Sequence, residues 1–184
     1  MPDGEDPRAV VNLLLECGDE LGLSFTNLAL QKLLYFAHAS FLVETKRPLI
    51  SGVFEAWEHG PVCRVVYDAL KGYGRSPVTA PISKRDVFTN EQSEIAIPQS
   101  RQVTAHVFGV AKTLGRLSPS QLRNLSHIPN GPWDIIWNKA ETSVTFGNRI
   151  PDSLIASNHR ILPQPNQAAK KGYDGYEATP FAGD

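Results

Sequence analysis

Four stretches of this chain place apolar residues at the period of an α-helix, which limits it to folds built by packing helices on helices. Val10, Leu13, Leu14 and Cys17 fall at i, i+3, i+4 and i+7, with Leu21 a turn further on and Gly22 as a left-handed stop. Thr26 offers a hydroxyl N-cap to a second helix with a stripe of Leu30, Leu33, Leu34, Ala37 and Phe41. Gln31, Tyr35 and His38 line the neighbouring stripe of that helix. Val62, Val65, Val66, Ala69 and Leu70 repeat the pattern after Pro61, a residue favoured at the first helical position, until Gly72 and Gly74. Val103, Val107, Val110 and Leu114 mark the same period over residues 101–116.

Shorter helices carry sharper end signals. In Ser118-Pro119-Ser120-Gln121 a serine cap, a first-position proline and a glutamine three residues on make a capping box. After the Asn130-Gly131 turn, Pro132 opens a helix with Trp133, Ile136 and Trp137 on one face, and Asp152 stands where it can cap a last helix through Leu154 and Ile155. Residues 52–58 read as a short strand, and Val87-Phe88 with Ile95-Ala96-Ile97 as the arms of a small hairpin. The expected fold is mainly α, a compact bundle of six or seven helices with a small β-hairpin or short strands, spanning residues 1–162. Residues 163–184 change to Pro, Gly, Gln and scattered charge, with Tyr173, Tyr176 and Phe181 interspersed. They read as a C-terminal tail that is flexible or ordered by a partner.

A formal net charge of −1 supplies no global attraction to nucleic acid or to an anionic membrane, and the basic pairs Lys84-Arg85 and Lys170-Lys171 are too short to act as an arm. The opening Met-Pro-Asp-Gly-Glu-Asp-Pro lacks the basic-then-apolar order of a signal peptide, and no apolar run reaches the ~20 residues that span a bilayer. Two distant cysteines, Cys17 and Cys63, build no disulfide framework. The expected location is cytoplasmic.

Chemistry, if present, would sit in Phe54-Glu55-Ala56-Trp57-Glu58-His59-Gly60-Pro61-Val62. Glu55 and Glu58, three apart, point to opposite faces of a strand and cannot share one substrate atom. The five histidines, His38, His59, His106, His127 and His159, include no pair at helical ligand spacing, so no metal site is expected. Cys63, in the first turn after Pro61 and four residues from His59, leaves a Cys–His dyad open, beside the simpler reading of a structural cysteine. Trp57 serves equally well as a corner anchor or as a hot spot on a partner surface, whereas Trp137 reads as core.

Leu30-Gln31-Lys32-Leu33-Leu34-Tyr35-Phe36-Ala37-His38, the 54–62 block and Val66-Tyr67 together resemble the Panacea domain, the family of SocA-like antitoxins and phage-associated GepA-like proteins. Lys71-Gly72-Tyr73-Gly74, Leu117-Ser118, Ser126-His127 through Gly131-Pro132-Trp133, and Ile150-Pro151-Asp152 with Leu154-Ile155 extend the resemblance over residues 8 to 160. It implies a non-enzymatic antitoxin, without cofactor, that binds and neutralises a protein toxin encoded nearby and in some relatives hands it to a protease. Direct nucleic-acid binding is not expected. Under this reading Trp57, Glu58, His59, Tyr67, Tyr173 and Tyr176 face the partner. Gln31, Tyr35, His38, Glu55, Gly60, Pro61 and Trp133 form the scaffold of the motif, with Glu58 stabilised at the start of the helix after Pro61. Two other readings stay open: a small hydrolase using Glu58, His59 and Cys63 or a metal, and a phage-derived regulator that binds a host protein.

Overall fold

The computed structural model describes residues 4–85, 88–142 and 148–160. Tyr173, Tyr176 and the 163–184 segment lie outside the described residues, as does Val87. Seven α-helices and five short strands order the described residues. They run α1 (Pro7–Leu21), α2 (Asn27–Thr45), β1 (Phe54–Trp57), β2 (Gly60–Val62), α3 (Arg64–Leu70), β3 (Ser83–Arg85), β4 (Gln92–Glu94), α4 (Arg101–Leu114), α5 (Pro119–Ser126), α6 (Pro132–Thr142), β5 (Arg149–Ile150) and α7 (Asp152–Asn158). The chain is mainly α, with a three-stranded and a two-stranded antiparallel sheet among the described residues. No helix among the described residues is long and apolar enough to cross a membrane.

Local chemistry sets most helix ends. Thr26 Oγ1 accepts from Ala29 N–H at 3.2 Å, and Gly22 closes α1 at φ +66°. At α5 both halves of the capping box form: Ser118 Oγ accepts from Gln121 N–H at 3.2 Å and Gln121 Oε1 from Ser118 N–H at 2.8 Å. Asp152 does not cap α7; that role falls to Pro151, and no side-chain cap bond is made. Its carboxylate is instead 3.0 Å from Nε2 of His38, whose Nδ1 accepts from Ile50 N–H at 3.4 Å, so the ring carries its proton on Nε2.

The centre of the molecule is α2, which packs against α1, α3, α4, α5, α7 and β2. It is buried on all sides rather than along one stripe. Its polar residues Asn27, Gln31, Lys32 and His38 are therefore buried too. Each has a hydrogen-bond partner, as burial of polar groups demands. Asn12 on α1 does similar work at a distance, donating to Ile82 O at 2.9 Å and accepting from Ile82 N–H at 2.7 Å.

β1 is the middle strand of an antiparallel sheet ordered β2-β1-β5, with Trp57 opposite Gly60 and Phe54 opposite Ile150. Pro61 therefore lies in an edge strand, and α3 starts three residues later. The expected helix start at Pro61 is corrected: an edge strand tolerates the missing N–H as readily as a first helical turn does. The second hairpin is also displaced. Ser83 pairs with Glu94 and Arg85 with Gln92, and Phe88 is 97% exposed. Both strands are exposed throughout, so no buried face fixed the register that the apolar residues suggested.

Candidate interaction surface

The β1–β2 hairpin turns through Glu58 and His59. Neither has a positive φ, so Gly60 at φ +100° supplies the left-handed residue that returns the chain to the strand. Glu58 and His59 thus sit on a hairpin turn, and the expected stabilisation of Glu58 by a helix N-terminus does not apply.

Side chains from distant segments hold the backbone of this hairpin. Trp133 Nε1–H donates to Trp57 O at 2.8 Å, Lys32 Nζ donates to Pro61 O at 2.9 Å, and Gln31 Oε1 accepts from Cys63 N–H at 2.9 Å. His127 brings Nε2 to 3.2 Å from Glu58 O, while its Nδ1 lies 2.7 Å from Arg123 O. The ring packs on Trp133 with centroids 3.6 Å apart, and Trp133 stacks on Trp137 at 5.4 Å. Burial pushes the His127 pKa down to about 4, against the two carbonyls that favour its cation, so the neutral ring donates to one of them. Burial, followed by the charge of Arg123, holds Lys32 well below the ordinary lysine range.

The outward side of the hairpin is aromatic. Trp57 and Tyr67 are half-buried and meet edge to face at 4.8 Å, and the Arg64 guanidinium lies 5.8 Å from the centre of the Trp57 ring. Glu55 Oε2 accepts the Trp57 indole N–H at 2.8 Å, which fixes the ring and satisfies its polar handle. Glu58 is exposed at the turn and His59 half-buried beside it, its pKa lowered first by burial.

The structure brings Trp57, Glu58, His59 and Tyr67 to one region, with Gln31, Gly60, Pro61 and Trp133 beneath it. Tyr35 and His38 belong elsewhere: Tyr35 packs on Phe54 inside the core, and His38 ties the loop at Ile50 to Asp152. Sequence reasoning gave no role to Lys32, Arg123, Ser126 or His127. The signal for Lys32 was a lysine inside an apolar run and for Ser126 and His127 a serine–histidine pair just before a turn; Arg123 had none.

Burial pushes the Cys63 thiol up to about 11, the opposite of an activated nucleophile. No three His, Cys, Asp or Glu residues among those described are grouped to hold a metal.

The family model for the antitoxin SocA-like Panacea domain matches residues 30–134, a span that holds the hairpin and every side chain that clamps it. The chain belongs to this family. This Panacea-domain protein is 42% identical over 160 residues to Antitoxin SocA of Caulobacter vibrioides (strain NA1000 / CB15N), covering 87% of its own length and 85% of the relative. No solved structure matches it. Within this Panacea domain the match takes in Lys32 and Gly60 along with Trp133, the last of which lies one residue from its end.

Proposed function

We propose that this chain is an antitoxin that neutralises a cognate protein toxin, encoded nearby, by direct contact through Trp57, Glu58, His59 and Tyr67. Membership of the Panacea family and the similarity to Antitoxin SocA support the reading. The observation that carries it is the Trp57–Arg64–Tyr67 corner where the hairpin, its backbone held by Lys32, His127 and Trp133, meets α3, whose N-cap Cys63 is held by Gln31. Trp, Tyr and Arg dominate interface hot spots, and a pre-ordered presentation lowers the entropy lost on docking. Glu55 already satisfies the indole N–H, so the exposed part of Trp57 offers mainly apolar area.

Co-expression with each adjacent open reading frame tests the proposal. A neighbour that is toxic alone, harmless with this protein and co-purified with it is the expected result. Absence of any toxic, co-purifying neighbour would sink it and favour a regulator of another host protein. Trp57→Ala is expected to weaken toxin binding by about 2 kcal/mol or more, roughly thirtyfold in Kd, with little change in the melting temperature of the free protein. Calorimetric titration of wild type and variant reads this directly.

The tail residues Tyr173 and Tyr176 belong to the same proposed contact. Deletion of 163–184 is expected to raise Kd while leaving the melting temperature of the free domain unchanged, and an unaltered affinity would remove the tail from the interface. Delivery of the bound toxin to a protease is included in this reading; its measurement is the toxin's half-life with and without the antitoxin gene.

A further inference from the structure

A cavity of about 400 Å³ opens beside the loop that joins α5 to α6. Its lining includes the buried Tyr35, Phe36 and Pro132, the half-buried Ile128 and His159, and the exposed Arg160 at the rim. The space exceeds by roughly tenfold the ~30 Å³ share of one water, and it falls within the range of about 300–1,000 Å³ of ligand sites. Two polar side chains on its wall are unused. The Tyr35 hydroxyl and the His159 imidazole have no hydrogen-bond partner among the described residues, and their rings meet edge to face at 6.5 Å. Tyr35 is 2% exposed, yet its hydroxyl is not shut away, because the one sealed and unmet side-chain group among the described residues is Arg123 Nε–H. A buried phenol ordinarily finds a partner for its O–H, so this one is placed for a group that enters the cavity.

The lining specifies that group. Aromatic and aliphatic walls call for an apolar body, and burial alone brings the His159 pKa down to about 4, so an entering charge would meet the same loss of water. A neutral tip that both donates and accepts can answer a hydroxyl and an imidazole alike. Among large side chains, phenylalanine and leucine bring no polar atom and tryptophan only a donor, whereas tyrosine brings an O–H that does both. The position favours a protein as its source. Ser126 lines the cavity and also backs the hairpin turn, since a Cβ on Gly60 would stand 2.6 Å from its hydroxyl, and the next residue, His127, faces Glu58 O. The cavity and the 57–60 turn are therefore neighbours on one side of the molecule.

We propose that this cavity receives a tyrosine side chain of the protein partner, its hydroxyl directed toward Tyr35 and His159. This rests on the antitoxin reading and names the chemistry of one anchor within it. An aromatic side chain seated in a preformed pocket is the usual form of an interface hot spot.

The first probe is p-cresol, the side chain of tyrosine, added to the full chain and followed by NMR. It is expected to shift the signals of Tyr35, His159 and the 125–132 loop saturably. Tyr35→Phe removes one oxygen that has no protein partner, so its melting temperature should stay within about 2 °C of wild type. It should weaken p-cresol binding about three- to tenfold and leave toluene binding unchanged or stronger. With the toxin identified by co-expression, Tyr35→Phe is expected to raise Kd by the same factor, and Leu125→Trp, which fills the cavity, at least about tenfold. Absence of any p-cresol shift overturns the proposal and makes the cavity a water site only. A drop of several degrees in Tyr35→Phe makes the hydroxyl structural and also overturns it. Binding of p-cresol with wild-type toxin affinity in both variants assigns the cavity to a free small molecule instead. Contacts between Tyr35 or His159 and residues 161–184 in the free chain would make that segment the occupant, against the proposal. Failure of the wild-type chain to bind any neighbour's product removes the antitoxin reading and the partner's tyrosine with it, while the p-cresol result still reads the cavity by itself.

Discussion

Gly60→Ala is expected to destabilise the protein by about 3–5 kcal/mol, the sum of a left-handed backbone position and an overpacked contact, each ordinarily worth about 1–3 kcal/mol. At φ +100° the added Cβ would stand 2.6 Å from Ser126 Oγ, 2.7 Å from Lys32 Nζ and 3.0 Å from His127 Cε1. None of the three can yield freely. Ser126 donates to Arg123 O, Lys32 to Pro61 O, and both His127 nitrogens face carbonyls. Making room for a methyl group therefore means giving up a buried hydrogen bond. Gly52 is the control, because its nearest neighbours to a new Cβ are 3.8 Å away. Gly52→Ala is expected to be neutral or stabilising by up to about 1 kcal/mol. Urea unfolding of the two variants gives the comparison, and a Gly60→Ala midpoint close to wild type would show that the hairpin is not clamped as described.

Trp133→Ala is expected to cost about 3–5 kcal/mol, the usual range for deleting a buried aromatic. The indole is 6% exposed, packs on His127 and Trp137, and supplies the donor for Trp57 O. Its loss leaves that carbonyl without its bond and the turn without its floor, so neutralisation of a toxin should fail together with stability. Trp133→Phe keeps part of the packing, loses the donor, and should fall between. The contrast with Trp57→Ala separates scaffold from surface: the first variant melts early and binds poorly, the second melts normally and binds poorly. Thermal denaturation and titration on the same samples distinguish them, and a Trp133→Ala protein with wild-type melting would contradict the assignment of Trp133 as the anchor.

Much of this was legible in the residues themselves. The capping box at Ser118, the Thr26 cap and the Gly22 stop are short-range devices, with donor and acceptor within a few residues, so no distant segment could overrule them. The repeated apolar period likewise gave α1, α2 and α4, whereas the 62–70 stripe held only in part: Val62 lies in β2, Val65 and Ala69 are exposed, and only Val66 and Leu70 are buried in α3. The pairing of the 30–38 and 54–62 blocks gave the family.

Other features were decided only by the fold. Gly60-Pro61 satisfies the local rules for a helix start and for an edge strand alike, and pairing with β1 chose the strand. Asp152 has the composition of a cap, but His38, 114 positions earlier in the chain, claimed its carboxylate. A lysine on an amphipathic helix ordinarily keeps its head in water, but packing on every side of α2 buries Lys32 and leaves Pro61 O as its acceptor. The chain thus fixed by itself what depends on neighbours within a turn or two, namely helices, caps and family motif. The burial of charge and the clamp on the hairpin depend on groups brought together from far along the chain, and only the tertiary structure determined them.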